Sequence, residues 1–193
     1  MHHGNGTQSV FWDDPDVLTI SLHQDGLYPL DSGRRDESGG PGARGAALNV
    51  PLPAGTGDGG YVHAIEEVVL PALDRFRPRV DHRGSGMDAA ATDPLGRMVV
   101  TSDGFRRMSR LVIDAAERLC GGRVVFAHEG GYSAHYVPFC GMAVLEELTG
   151  VDSGVADPYL AFFASYPQRG LEEWQREAVH AAAEAVSLVP EPR

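Results

Sequence analysis

Basic residues are scarce in this chain: 16 Lys and Arg stand against 27 Asp and Glu over 193 residues, a formal net charge of −11. A nucleic-acid surface needs a clustered positive patch, and an anionic membrane attracts the same sign, so the balance argues against both partners. It suits cationic substrates. Cysteine is nearly absent, with only Cys120 and Cys140 and no Cys-x-x-Cys spacing. Two such residues give neither a disulfide framework nor a thiolate zinc site, and a reducing cytoplasm is the expected compartment. No run of about 18 apolar residues is present to cross a bilayer. The first residues also lack the charged-then-apolar order of a secretion signal. What is abundant is ordinary: 42% hydrophobic residues, enough for one domain with a real core.

Four short stretches stand out. His2-His3-Gly4-Asn5-Gly6-Thr7-Gln8 sets two imidazoles beside a glycine-rich turn, and Gly86-Met87-Asp88-Ala89, Asp93-Pro94-Leu95-Gly96 and Glu129-Gly130-Gly131-Tyr132-Ser133 follow later. In an open parallel α/β sheet, loops leaving the carboxyl ends of the strands line one crevice, so these stretches are expected to converge. Val17 to His23 is β-branched and nearly all apolar, which reads as a buried strand. Residues 25 to 60, rich in glycine and proline, read as a long surface loop with a short strand at Ala47 to Leu52. Val62, Ile65, Val69 and Leu73 trace a helical stripe that Pro71 should kink. Phe105 to Leu119 gives a second helix, with Ser102 or Asp103 as N-cap and Gly121-Gly122 as stop; Arg123 to His128 is a short strand. Val137 to Leu148 is a third helix, and Leu171 to Leu188 an amphipathic terminal helix on the outside.

One segment breaks the pattern. A strand should lead into Gly86-Met87-Asp88, yet Val80-Asp81-His82-Arg83-Gly84 offers three consecutive ionisable groups, costly to bury. The expectation is that residues 80 to 84 fail to pair centrally or carry unsatisfied charge. Read one base later, codons for these residues can encode Ser or Leu, then Ile, Ile and Val, so a pair of compensating single-base insertions or deletions, one just before Val80 and one near Gly84 to Ser85, is the expected origin.

Catalytic zinc takes three protein ligands from His, Asp, Glu or Cys and keeps one position open. His2 and Asp88 suit that role, and a phenol at Tyr132, exposed by its glycine-rich turn, suits stabilisation of an oxyanion. Each residue alone also fits a structural role; their joint spacing carries the reading.

These motifs, in this order and spacing from His2 to about Gly150, resemble the zinc-dependent histone deacetylase family, most closely its bacterial class II-like members. The resemblance implies a three-layer α/β/α arginase/deacetylase fold around a parallel sheet, with its N-terminal part missing. Residues 1–150 would be the C-terminal portion of the domain and 151–193 a tail. The implied activity is hydrolysis of an acetyl amide on lysine or a polyamine. The implied site has His2 and Asp88 on Zn2+ and Tyr132 on the substrate carbonyl. The backbone carbonyls of Ser21 and Leu22 would hold a monovalent cation, K+ or Na+, and Pro94, Leu95, Gly130 and Gly131 would wall the acyl-lysine channel. The family's third ligand, an Asp two residues before the position of His2, and its tandem histidine base lie upstream of Met1. Nothing among His23, His63, His82, His128, His135 and His180 replaces them. Valine is usual in the family where Met1 stands, and a GTG codon also starts translation. The expectation is therefore a truncated, inactive chain begun at an internal GTG, which the upstream DNA would test. The alternatives are a non-catalytic remnant acting by association and an arginase-like hydrolase; the Glu-Gly-Gly-Tyr turn favours the deacetylase over the latter.

Overall fold

The computed structural model describes residues 1–192. Two pairs of parallel strands form its centre. β1 (Thr19–Gln24) runs beside β2 (Ala47–Leu52), in register from Thr19 opposite Ala47 to Gln24 opposite Leu52. β3 (Asp81–Ser85) runs beside β4 (Val124–His128), from Asp81 opposite Val124 to Ser85 opposite His128. Each pair is a separate two-stranded sheet among the described residues. The long loop of residues 25–46 joins β1 to β2, α2 (Asp58–Ala64) and α3 (Leu70–Phe76) lie between β2 and β3, and α4 (Ser102–Cys120) between β3 and β4; α1 (Asn5–Val10) precedes β1, and α5 (Val137–Thr149), α6 (Leu160–Phe163) and α7 (Glu173–Ala183) follow β4. The chain is thus α/β with parallel strands and flanking helices.

The hydrogen-bond parity of a parallel strand shows which edges are open. In such a strand, the N–H and C=O of one residue point to the same neighbour and those of the next residue point the other way. Thr19 N donates to Ala46 O and Asp25 N to Leu52 O, so residues 19, 21, 23 and 25 face β2. Ile20, Leu22 and Gln24 face away, and Gln24 N donates instead to Met1 O at 2.8 Å. By the same rule, Asp81 N on Arg123 O turns His82 and Gly84 away from β4. Among the described residues, the edges of β1 and β3 that face away from their partners therefore pair with no further strand.

Pro71 does not break its helix. Residues 65 to 69 form a π turn between α2 and α3, and the widened turn accommodates the missing proline N–H. This helical run places Ile65, Val69 and Leu73 against Val112 and Ala115 of α4, over Ile20, Leu22 and Phe126. The N-cap of α4 is Thr101, not Ser102 or Asp103: Thr101 has an extended backbone and its Oγ1 accepts from Gly104 N at 3.2 Å. Thr101 is the better placed because buried Asp58 grips both its N–H and its hydroxyl, each at 2.7 Å.

The charged segment becomes a strand by alternation. His82 and Gly84 point to solvent, while Asp81 is buried and ion-paired with Arg83 of the same face at 2.7 Å. Arg83 Nε remains buried without a partner. The outer face is bare, and Val125 of β4 is 49% exposed on it.

The tail is not external. Phe163, Val179, Ala182 and Val189 belong to the same core as Val50, Leu52 and Val68, and α7 packs directly on β2. Glu172 and Gln175 close a reciprocal capping box at its start. Gln175 of this box is polar yet fully buried, because the cap uses it. The long loop before β2 is also ordered, since Glu37 accepts from Gly33 N, Arg34 N and the Gln8 amide. Tail and loop meet at Gly45, whose φ is +88° and whose missing Cβ would lie 1.8 Å from Leu188 O. Gly45→Ala is expected to lower stability by about 3 kcal/mol, from strain and overpacking together. A urea midpoint unchanged by Gly45→Ala would show that the tail does not pack there.

A candidate metal and carbonyl-binding site

The site forms at the carboxyl ends of the strands. Gln24 N on Met1 O and His3 N on Tyr28 O, at 3.0 Å, seat Met1 to His3 against the end of β1. Met87 N on Gly130 O, at 2.6 Å, ties the loop after β3 to the loop after β4. These contacts bring three of the expected residues together. His2 Nδ1 lies 2.9 Å from Asp88 Oδ2, and the other carboxylate oxygen of Asp88 accepts from the Met1 amino group at 2.8 Å. Asp88 is buried, and the ring of Tyr132 stands 6.3 Å from the ring of His2, edge to face.

Glycines are needed at the turn before Tyr132. A Cβ on Gly130 would lie 2.4 Å from Asp88 Oδ2, and Gly131 has φ +141° with Met87 Cβ 2.9 Å from where its own would be. Pro94 and Leu95 lie on the neighbouring loop, and Leu95 is 53% exposed, a wall open to solvent on one side.

His3 points away from Asp88. Its ring nitrogens meet Ser32 Oγ at 3.1 Å and Gln8 Oε1 at 3.2 Å. Behind it, His23 Nε2 donates to Gly33 O at 3.0 Å, so its Nδ1 accepts from the Ser21 hydroxyl, also at 3.0 Å. Burial pushes the His23 imidazole down to about 4, with the nearby His3 adding to the effect and the Gly33 hydrogen bond opposing it. The folded protein keeps this ring neutral, whereas the unfolded chain takes up its proton below about pH 6.5. Stability from this source is therefore full above pH 6.5 and declines toward pH 4, by on the order of 3 kcal/mol. The difference between unfolding profiles of the unsubstituted and His23→Gln proteins over that window measures it; parallel profiles would contradict it.

Ser21 requires a correction. Its carbonyl faces β2 by parity, so of the two expected cation contacts only the Leu22 carbonyl is presented to the open edge. Ser21 offers its hydroxyl there instead, already accepting from Gly4 N at 3.1 Å.

Two further residues join the site: Tyr28, which carried no sequence signal, and Asp93, which stood in a motif without a role of its own. Tyr28 stacks edge-on against His2 at 5.7 Å because the long loop folds back over α1. Asp93 accepts hydrogen bonds from Tyr132 N and Leu95 N. A cavity of about 610 Å3 lies elsewhere, bounded by Asp58, His63, Arg107 and Arg169. Its buried carboxylate is already neutralised, since Asp58 pairs with Arg169 at 2.8 Å.

Zinc fits these residues in type but not in number. Two ligands on one tetrahedral zinc stand about 3.3 Å apart, close to the 2.9 Å between His2 Nδ1 and Asp88 Oδ2. Among the described residues, however, no three His, Cys, Asp or Glu side chains gather to hold a metal. Among these residues the site falls one donor short.

Comparison with known proteins accords with this geometry. Residues 1–148 match the family model described as Histone deacetylase domain. The chain is 49% identical over 191 residues to the histone deacetylase-like amidohydrolase of Pseudomonas aeruginosa, covering 98% of this chain and 50% of that protein. It is 39% identical over 173 residues to histone deacetylase 8 of Arabidopsis thaliana, covering 87% of this chain and 45% of that one. The solved structure of the histone deacetylase Clr3 superposes with a TM-score of 0.81 at 30% identity, over 96% of this chain and 30% of that one. This chain thus spans about half the length of its first two relatives. No helix among the described residues is long and apolar enough to cross a membrane. The order of the motifs, the parallel strands that bring them together and these matches give one conclusion: the chain belongs to the histone deacetylase family and has its arginase/deacetylase-type α/β fold.

Proposed function

We propose that this chain carries part of a zinc-dependent deacetylase site, for hydrolysis of acetyl-lysine or acetylated polyamines in the cytoplasm. One juxtaposition carries the reading: His2 Nδ1 against buried Asp88, with the Tyr132 ring beside His2. His2 and Asp88 would hold the zinc, which when bound supplies a Lewis acid for the substrate carbonyl and its attacking water. Tyr132 donates its O–H to the carbonyl oxygen as negative charge develops there. Pro94, Leu95, Gly130 and Gly131 line the acyl channel, and Tyr28 faces it from across His2. The Leu22 carbonyl would contribute to a site for K+ or Na+.

The chain by itself is proposed to be inactive. His23, which stands behind His3, has both nitrogens engaged and stays neutral far below pH 7, so it is a poor base for water. General acid/base catalysis, worth roughly 10² to 10⁴ in rate, is then missing. Open edges on β1 and β3, the orphaned Tyr61 hydroxyl and Arg83 Nε, and the half-length match support the proposal that a longer polypeptide completes the site. Burial pushes the Tyr61 phenol up, and the Asp88 carboxylate adds to this, which keeps that orphan a donor. Competition with a fluorescent chelator tests the metal assignment: weak zinc binding is expected, lost in Asp88→Asn. Equal zinc binding by the two proteins would sink it.

A further inference from the structure

We propose that Asp93 is a positioning residue that holds Tyr132 and the channel wall at Leu95 on one carboxylate, so that phenol and channel move as a unit. The consequence for catalysis rests on the deacetylase reading of Tyr132 and Leu95; the positioning itself does not. Asp93 is 8% exposed. Its Oδ2 accepts from Tyr132 N at 2.8 Å and its Oδ1 from Leu95 N at 2.9 Å, while its own N–H is fixed on Ala90 O at 3.0 Å. Hydrogen bonds to an ionised carboxylate are roughly twice as strong as neutral ones, and both oxygens are used here.

The two loops are joined at two further points, Met87 N on Gly130 O and the Thr92 hydroxyl on the Ser133 hydroxyl at 2.7 Å. Neither grips Tyr132 itself, and neither reaches Leu95. The Tyr132 side chain is 51% exposed, so packing does little to hold it and the aim of its phenol follows from where its backbone is anchored. That anchor is Asp93. An acyl group too wide for the channel would press Leu95 outward, shift Asp93, and draw the phenol away from the carbonyl it should meet. The site would then select small acyl groups by misaligning the reaction for larger ones, in addition to any block at the entrance. Such coupling suits catalysis that depends on sub-ångström placement.

Nuclear magnetic resonance on the labelled 193-residue protein tests this without any need for turnover. In the unsubstituted protein, the Tyr132 and Leu95 amides should exchange slowly with solvent, and the Tyr132 and His2 rings should show a mutual Overhauser effect. Asp93→Asn leaves one acceptor oxygen for two N–H groups. Exchange at Tyr132 or Leu95 should accelerate about tenfold or more, and the Tyr132–His2 effect should vanish while the Tyr28–His2 effect persists. Thr92→Val, which cuts the neighbouring tie, should leave the Tyr132–His2 effect in place. Retention of that effect in Asp93→Asn, or its equal loss in Thr92→Val, would overturn the proposal. If Asp93→Asn exposes the amides of β1 and β2 and so unfolds the chain, the unsubstituted protein decides alone: a Tyr132 amide exchanging as fast as that of exposed Gly26 overturns it. Failure of the deacetylase reading would appear separately, in zinc binding and turnover.

Discussion

Tyr132→Phe is expected to slow deacetylation by roughly 10² or more while leaving bound zinc unchanged, once this chain is joined to the segment preceding the matched stretch in the Pseudomonas aeruginosa relative. The expectation follows from position. Tyr132 is held by its backbone, its ring stands beside His2, and it makes no ion pair with Asp88, so its loss removes a donor to the substrate and not a ligand to the metal. Rates and zinc content of the two joined proteins measure the split. A near-normal rate would return Tyr132 to the role of an ordinary half-exposed loop residue.

Gly130→Ala is expected to weaken zinc binding by about 10- to 100-fold, the usual effect of disturbing the support of a metal ligand. The added methyl would lie 2.4 Å from Asp88 Oδ2 and 2.8 Å from its Cγ, so the carboxylate must turn away from His2 Nδ1. The backbone of Gly130 does not have a positive φ, and the alanine is therefore unstrained where it stands. The effect should appear in metal affinity with little change in unfolding midpoint. A chelator titration that gives the same zinc affinity for both proteins would contradict the placement of Asp88.

The elements most legible in the sequence were those built by local rules. β1, β2 and β4 are short apolar, β-branched runs, and α4 and α5 show their helical stripes and end at glycines in the left-handed conformation. The motif residues His2, Asp88 and Tyr132 could be named because their spacing is characteristic, and the strand ends do bring them together. Other features were illegible because tertiary partners create them. Asp81 and Arg83 look incompatible with a strand until alternation puts them on one face as a pair and turns His82 to solvent. Thr101 caps α4 because Asp58, 43 residues away, orients it. The terminal helix looks external because its polar Gln175 gives no hint that a capping box carries it into the core. Tyr28 acts at the site through a loop fold that has no residue pattern, and Asp93, though its motif is visible, through a hydrogen bond to Tyr132 N from 39 residues away. The direction of the Ser21 carbonyl was illegible because it depends on strand register.

On the proposed reading, His2, Asp88 and Tyr132 form the metal and carbonyl side of a deacetylase site that needs a further ligand and a base. Turnover of an acetyl-lysine peptide, measured with and without added zinc for the pure 193-residue chain and for the chain joined to the relative's preceding segment, tests it most directly. The expected result is zinc-dependent turnover by the joined protein and none by the chain alone. Zinc-dependent turnover by the chain alone, or a joined protein that is folded and zinc-loaded yet inactive, would contradict the claim.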